Sequence, residues 1–283
     1  MKRALWLWLP WTIFIVLAAG WIAYWHIVAN QAEQRVRAWA AEQNAQGAAV
    51  EIGAIARRGF PVLLSLDLRD LAYAPARGGW RAATAHGALH IQLLNPQHVI
   101  FKAEAPIAIL RADGAFTNIA AGALIASVRM SGRSLAQAGV EADNLTLDDP
   151  AQEGVLRARR LVINVRPDPR AVGDLQLAFD AQGLTLPRPV RSFETFGLDV
   201  SALRAAIVLQ EAGALLRASP EDPLAPWREA GGQLRFEALL LNWGPLEATG
   251  TGHGGLDDQR RLTGVLNLPI ERPAAVFTAL SRG

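Results

Sequence analysis

A mainly β protein carried on a membrane anchor is the fold class this sequence predicts, and three observations carry it. Residues 4–30 contain no Asp, Glu, Lys or Arg. From Gly47 onward the spacing of apolar residues changes from helical to alternating. Pro, Gly, Asn and Asp clusters then recur between the alternating runs. The expected architecture is an N-terminal transmembrane helix plus stalk, then a large curled antiparallel sheet, groove or sandwich, with one or two short helices.

The anchor follows from length. A hydrocarbon layer of about 30 Å needs about 20 helical residues, and residues 5–25 are nearly continuous Leu, Trp, Ile, Val, Phe and Ala. Trp6, Trp8 and Trp11 crowd one end of this run and Trp21, Tyr24 and Trp25 the other, as two interfacial aromatic belts would. Lys2 and Arg3 precede it, while Gln31, Glu33 and Gln34 open the far flank. The positive-inside rule therefore puts the N-terminus in the cytoplasm and the bulk of the chain across the membrane. A cleaved signal peptide is the rival reading, with Ala18-Ala19-Gly20 as its cleavage-like spot; the length and the bulky aromatic far end favour retention. Residues 30–46 lack Pro, Gly and β-branched runs, so the helix continues as a stalk that Gly47 ends. Ala32, Val36, Trp39 and Ala40 form a stripe that either docks on the domain or stays free. The expected units are a stub and anchor at 1–29, a stalk at 30–46 and a β domain at 47–283.

Composition excludes several functions. The 283 residues are 51% hydrophobic and 19% charged, which favours a folded chain over a disordered one. Lys occurs only at positions 2 and 102 and the Arg are scattered, so no basic block offers a nucleic-acid footprint. The absence of Cys removes disulfides, thiolate metal sites and Cys nucleophiles.

Within the domain, Val50, Ile52 and Ile55 begin the alternation, and Leu64, Leu66 and Leu68 continue it with Ser65, Asp67 and Arg69 between them. The same reading covers 89–93, 99–103, 107–111, 126–130, 155–165, 175–179, 206–209, 234–237 and 262–268. Turns are expected at 75–79, 95–96, 113–114, 148–150, 167–169 and 257–258. Strands so spaced, without long helices between them, predict antiparallel pairing.

One motif recurs. Leu66-Asp67-Leu68-Arg69-Asp70-Leu71-Ala72-Tyr73 is matched by Val140-Glu141-Ala142-Asp143-Asn144-Leu145-Thr146-Leu147. Looser copies run from Leu177-Ala178-Phe179 to Leu184-Thr185-Leu186 and from Leu234-Arg235-Phe236 to Leu241-Asn242-Trp243. In each, the gap between apolar pairs reverses the parity of alternation, so each copy is expected to bulge or bend there. Short helices are expected from Ser219-Pro220-Glu221-Asp222 through Trp227 and Ala230 to Gly231-Gly232, and from Pro273 to Ala279. The stop at Gly283 so soon afterwards leaves room for a missing closing strand.

Three segments carry a resemblance: Arg57-Arg58-Gly59-Phe60-Pro61; Trp227-Arg228-Glu229-Ala230-Gly231-Gly232 leading to Leu241-Asn242-Trp243-Gly244-Pro245; and Gly250-Thr251-Gly252 through Leu256 to Leu262-Thr263-Gly264-Val265-Leu266. In this order, behind the anchor, the chain resembles an uncharacterised family of alphaproteobacterial membrane-anchored envelope proteins, domain-of-unknown-function family twenty-one twenty-five. That family in turn is similar to the AsmA-like envelope proteins, whose β-sheets curl into an apolar groove that carries lipid. The resemblance implies a bacterial inner-membrane protein with its bulk in the periplasm, partnered by the membrane, by lipid or by other envelope proteins, and it implies no catalytic residues.

Candidate sites are few. Gly250, Gly252 and Gly255 match a dinucleotide-loop spacing, but alternating sequence on both sides makes them part of a Gly-rich strand or turn. His86 and His90 share a strand face and His253 lies near Asp257 and Asp258, with nothing joining them into a ligand set. No nucleophile elbow, zinc-protease or phosphate-loop motif occurs, so neither cofactor nor enzymatic activity is expected. The near-membrane step Arg57, Arg58 and Phe60 is the candidate interface with headgroups, against the alternative of a solvated turn. Leu66, Leu68, Ile91, Phe101, Phe179, Phe236 and Val265 are the candidate lining of a lipid groove, against a closed sandwich core. A protein-binding assembly module and a hydrolase with a dispersed site are the competing functions.

Overall fold

The computed structural model describes residues 2–132, 134–150, 154–188, 190–191, 193–217, 224–257 and 259–281, the side chains of 2–7, 216 and 217 excepted. Among the described residues it holds one antiparallel sheet and three α-helices. Helix α1 (Lys2–Ala45) joins anchor and stalk into one rod of about 66 Å at 1.5 Å per residue. It stops at Gly47, whose φ of 90° only glycine adopts freely. There the Ala48 N–H reaches back to the Gln43 carbonyl at 3.0 Å, a closing bond typical of helix C-termini. Asn44 then clasps the backbone of Val50 from both sides, accepting from its N–H at 2.6 Å and donating to its carbonyl at 3.1 Å.

The strands are β1 (Ala49–Arg58), β2 (Leu63–Ala74), β3 (Trp80–Gln92), β4 (Asn95–Ala103), β5 (Ile107–Arg111), β6 (Phe116–Ala120), β7 (Ala123–Ser131), β8 (Ser134–Asp148), β9 (Val155–Pro167), β10 (Leu175–Thr185), β11 (Asp199–Leu209), β12 (Gln233–Trp243), β13 (Leu246–Leu256) and β14 (Leu262–Asn267). All fourteen belong to one sheet, and every pairing is antiparallel. The register reveals a simple meander. Strands β4 and β5 lie in line along β3, pairing Ala103 with Gly87 and Ile107 with Thr84. Strands β6 and β7 likewise lie in line along β8. Each such pair is one long strand broken by a bend.

These bends share a line across the sheet. Asp70 and Asn144, the polar residues in the gap of the first two motif copies, both have φ of 51°, and Gly183 has 57°. Asp and Asn tolerate this left-handed region better than other side chains. One such residue restores parity across the gap. Leu68 and Leu71 therefore face the same cavity, and Ala142 and Leu145 pack in the same cluster. In the fourth copy a register shift between Phe236 and Leu239 has the same effect. The expected bulge or bend is thus present in each copy, as a left-handed bend in the first three and as a bulge in the fourth.

Helix α2 (Ala225–Glu229) buries Trp227 and helix α3 (Pro273–Leu280) buries Val276. The cap expected at Ser219-Pro220-Glu221-Asp222 lies outside the described residues. One turn differs from expectation in place. Asn95 and Pro96 open β4, and the reversal sits one step earlier at Leu93 and Leu94, because Leu93 is buried against α1 and its carbonyl accepts from Tyr24 Oη at 3.0 Å. Strands β6 and β13 had no alternating signature: β6 has five residues, and β13 carries Gly at alternate positions.

The main core is local. Trp25, Ala29 and Ala32 of α1 pack on Leu64, Leu66, Leu68, Ile91 and Leu93, with Val36 beside them. Trp39 stacks on Tyr73 at 6.4 Å and Ala40 is half-buried. The stalk is docked, not free.

Candidate functional site: an apolar face across ten strands

In an antiparallel ladder directly paired residues point to the same face, so the register can be followed from strand to strand. Leu64 pairs with Ile91, then Val99, Val128, Ala138, Val165, Leu177, Ile207, Phe236 and Gly252. Leu66 pairs with Leu89, then Phe101, Ala126, Val140, Ile163, Phe179, Ala205, Leu239 and Gly250. Leu68 begins a third row through Gly87, Ala103, Leu124, Ala142, Leu161, Ala181, Leu203, Leu241 and Ala248. No polar side chain occurs in any of the three. With strands about 4.8 Å apart, they form an apolar track about 43 Å long from β2 to β13. The opposite face is mixed and polar: the row through Asp67 continues Ala88, Lys102, Ile125, Glu141, Val162, Asp180 and Arg204. Arg204 is paired there with Asp180 at 3.1 Å.

Cover is heaviest at one end, and beyond it the third row alone is buried, at Ala142, Ala181 and Ala248. Leu64, Leu66, Leu68 and Ile91 are buried beneath α1. Beyond β4, Ile163, Leu177, Phe179, Ile207, Phe236 and Leu239 are all half-buried, and no second sheet lies over them among the described residues. The molecule exposes 18062 Å², whereas a compact chain of 30.5 kDa exposes about 12,000 Å². The bare turns of α1 and this uncovered face both contribute to the excess. The arrangement is an open sheet and not a closed sandwich.

Six of the seven expected groove residues share this face; the seventh does not. Leu266 pairs with Gly252 and so joins the track, whereas Val265 pairs with His253 and points the other way. Adjacent residues of a strand alternate faces, and composition alone did not reveal which of the two faces inward. The glycines of β13 have a steric reason. A Cβ on Gly252 would lie 2.5 Å from the Val265 carbonyl oxygen and from a Leu266 methyl, and one on Gly264 of the facing β14 would collide with the His253 carbonyl oxygen. Glycine lets β14 cross β13 closely, as a Gly-rich strand and not a phosphate loop.

The membrane-proximal end is built from hairpin tips against α1. Trp21 Nε1 donates to the Pro61 carbonyl at 2.8 Å, Trp25 Nε1 to the Leu63 carbonyl at 3.3 Å, and the Trp25 ring meets Phe60 edge-on at 5.5 Å. Trp25, expected in an interfacial belt, is instead 5% exposed, because the β1–β2 and β3–β4 tips enclose it. Trp8 and Trp11 are bare, and Trp6 lies outside the described side chains. Phe60 is exposed as expected, and it is joined by Val62 at 78% and Leu94 at 88%. Sequence reasoning passed over these two because each adjoins another apolar residue, Leu63 or Leu93, and only the fold places it in an exposed turn. Arg57 has another task than headgroup contact: its guanidinium holds Glu33 of α1 at 2.7 Å. Arg58 pairs with Asp67 at 2.5 Å while most of its side chain stays in solvent. The Arg57 and Arg37 guanidiniums hold the Glu33 carboxyl below the usual carboxylate range.

His86 and His253 are exposed on the polar face, and no Ser–His–Asp chain of hydrogen bonds joins any histidine among the described residues. No group of three or more His, Asp or Glu among them is placed to hold a metal ion.

Residues 25–283 match the model of a family described as an uncharacterized protein conserved in bacteria, DUF2125. The chain belongs to this family. The match opens at Trp25, the first buried residue of α1 among the described side chains, so the DUF2125 region takes in most of the docked part of α1 and every strand. No curated protein and no solved structure matches the chain. α1 is the one helix among the described residues long and apolar enough to cross a membrane.

Proposed function

We propose that this DUF2125 protein is a membrane-anchored envelope protein that holds lipid hydrocarbon on its apolar sheet face and performs no chemical step itself. The observation that carries the reading is the track: three adjacent rows without a polar side chain, the Leu64 and Leu66 rows holding no buried residue beyond β4. An uncovered apolar surface of this extent in water is unfavourable by about 25 cal/mol for each Å², and acyl chains would relieve it without asking for hydrogen bonds. On this reading α1 spans the bacterial inner membrane with its N-terminus in the cytoplasm, and the sheet stands in the periplasm. Phe60, Val62 and Leu94 dip into the outer leaflet, so the track starts at the bilayer and leads away from it, a plan akin to that of the AsmA-like proteins.

The test is lipid analysis of the full chain purified from native membranes. Co-purified lipid is expected from the wild type and is lost in Phe179→Asp and Phe236→Asp, both on half-buried positions clear of the α1 core; a wild type free of lipid counts against the proposal. A second reading, an assembly module, is favoured by one observation. All six residues of β14 are exposed and none is charged, leaving an unguarded sheet edge. Crosslinking through β14 that captures one envelope protein, from a wild type carrying no lipid, would favour it.

A further inference from the structure

Under the stalk half of α1 lies a cavity of about 390 Å³ that the track reading alone does not require. Val36 and Trp39 roof it, and Leu71, Leu89, Phe101 and Ile107 form its floor and sides. These four are only half-buried although a helix lies over them, so their apolar surfaces face space and not partners. The cavity is a product of the bend line. Asp70 in the left-handed region turns both Leu68 and Leu71 toward α1, and the break between β4 and β5 brings Phe101 and Ile107 to the same wall.

The polar side chains on the wall are Glu51, Thr84 and Tyr73. The Glu51 carboxylate is held by Arg81 at 2.8 Å, and the Thr84 hydroxyl is engaged with the Ala105 carbonyl at 3.2 Å. Tyr73 presents a ring stacked on Trp39 and tilted against Trp80 at 5.7 Å. A peptide segment entering here would bring N–H and C=O groups to a wall that does not satisfy them. Water is equally disfavoured, since apolar cavities stay dry and take up hydrocarbon. The volume lies near the lower end of ligand pockets, enough for one slender chain.

We propose that this cavity is a docking station for a single acyl chain, with the lipid headgroup left outside at the Trp39–Tyr73–Trp80 rim. The proposal deepens the track reading and rests on it for the source of the lipid. Its position, walled by the same helix that crosses the bilayer, makes it the first shelter an acyl chain meets beyond the α1 core.

The test uses the full chain in phosphatidylethanolamine–phosphatidylglycerol vesicles with palmitate carrying a terminal diazirine. After irradiation, adducts are mapped by peptide mass spectrometry. Adducts on residues 68–73 and 101–107 are expected. Leu71→Trp and Ile107→Trp, filling the cavity from opposite walls, reduce them by roughly tenfold, the factor that about 1.4 kcal/mol of lost affinity represents, while adducts on 161–165 and 177–181 persist. Adducts confined to 161–165 and 177–181, or cavity adducts indifferent to both variants, overturn the docking station and leave the track standing. Adducts confined to the cavity uphold the station and remove the track. Their absence from both regions removes both.

Discussion

Trp25→Ala is the perturbation that most sharply probes how the anchor is joined to the sheet. The indole is 5% exposed, its Nε1 donates to the Leu63 carbonyl, and its ring sits against Phe60, so truncation removes a packed aromatic and a hydrogen bond together. A Trp side chain buries about 200 Å², which at about 25 cal/mol per Å² corresponds to roughly 5 kcal/mol. Measured Trp and Phe truncations in cores cost about 3–5 kcal/mol, and neighbouring Ala29 and Ala32 leave little scope for collapse to soften the loss. Opening of the segment beneath the helix should become easier by the same amount. Amide exchange at residues 64–68, followed by mass spectrometry on the full chain in detergent, should therefore accelerate about 150-fold to 5,000-fold. Trp11→Ala, at an exposed position remote from the helix–sheet contact, should leave that exchange unchanged. Unchanged exchange at 64–68 in Trp25→Ala would refute the claim that α1 and the first strands form one packed unit.

Two further outcomes follow from the bend line and the helix clamp. Asn144→Val places a β-branched residue at φ 51° and should lower stability by about 1–3 kcal/mol in a urea titration, whereas Asn144→Gly should cost much less. Equal losses would mean that the left-handed conformation is not the reason for Asn there. The Glu33 carboxyl titrates below its ordinary value because Arg57 and Arg37 donate to it. A lowered folded-state value stabilises the clamp at pH above the unfolded value near 4.5, and that contribution disappears as pH falls through the lower folded value. Stability of the α1–sheet contact should therefore drop in that acid window, and Glu33→Gln should abolish the drop; an identical acid profile in the variant contradicts the assignment.

The alternating runs made most strands legible, since a face that must stay apolar imposes period two on its residues. The parity break in the repeated motif foretold the bends at Asp70 and Asn144, where a left-handed residue keeps Leu68 with Leu71 and Ala142 with Leu145. What stayed hidden was set by pairing across the chain. Val265 and Leu266 look alike in sequence, and only the register against His253 and Gly252 separates them. Trp25 looked like an interfacial anchor because nothing in its neighbourhood announces that two hairpin tips enclose it. The cavity under the stalk draws on six elements and no local pattern encodes it.

The central claim is that the apolar face beyond β4 lies open and is filled by lipid. It is met most directly by photocrosslinking in native membranes, with p-benzoylphenylalanine placed in turn at positions 163, 179 and 239 on the track and at 180 on the opposite face. Lipid adducts at the three track positions and none at 180 are the predicted result. Adducts to protein alone, or equal lipid labelling on both faces, would contradict it.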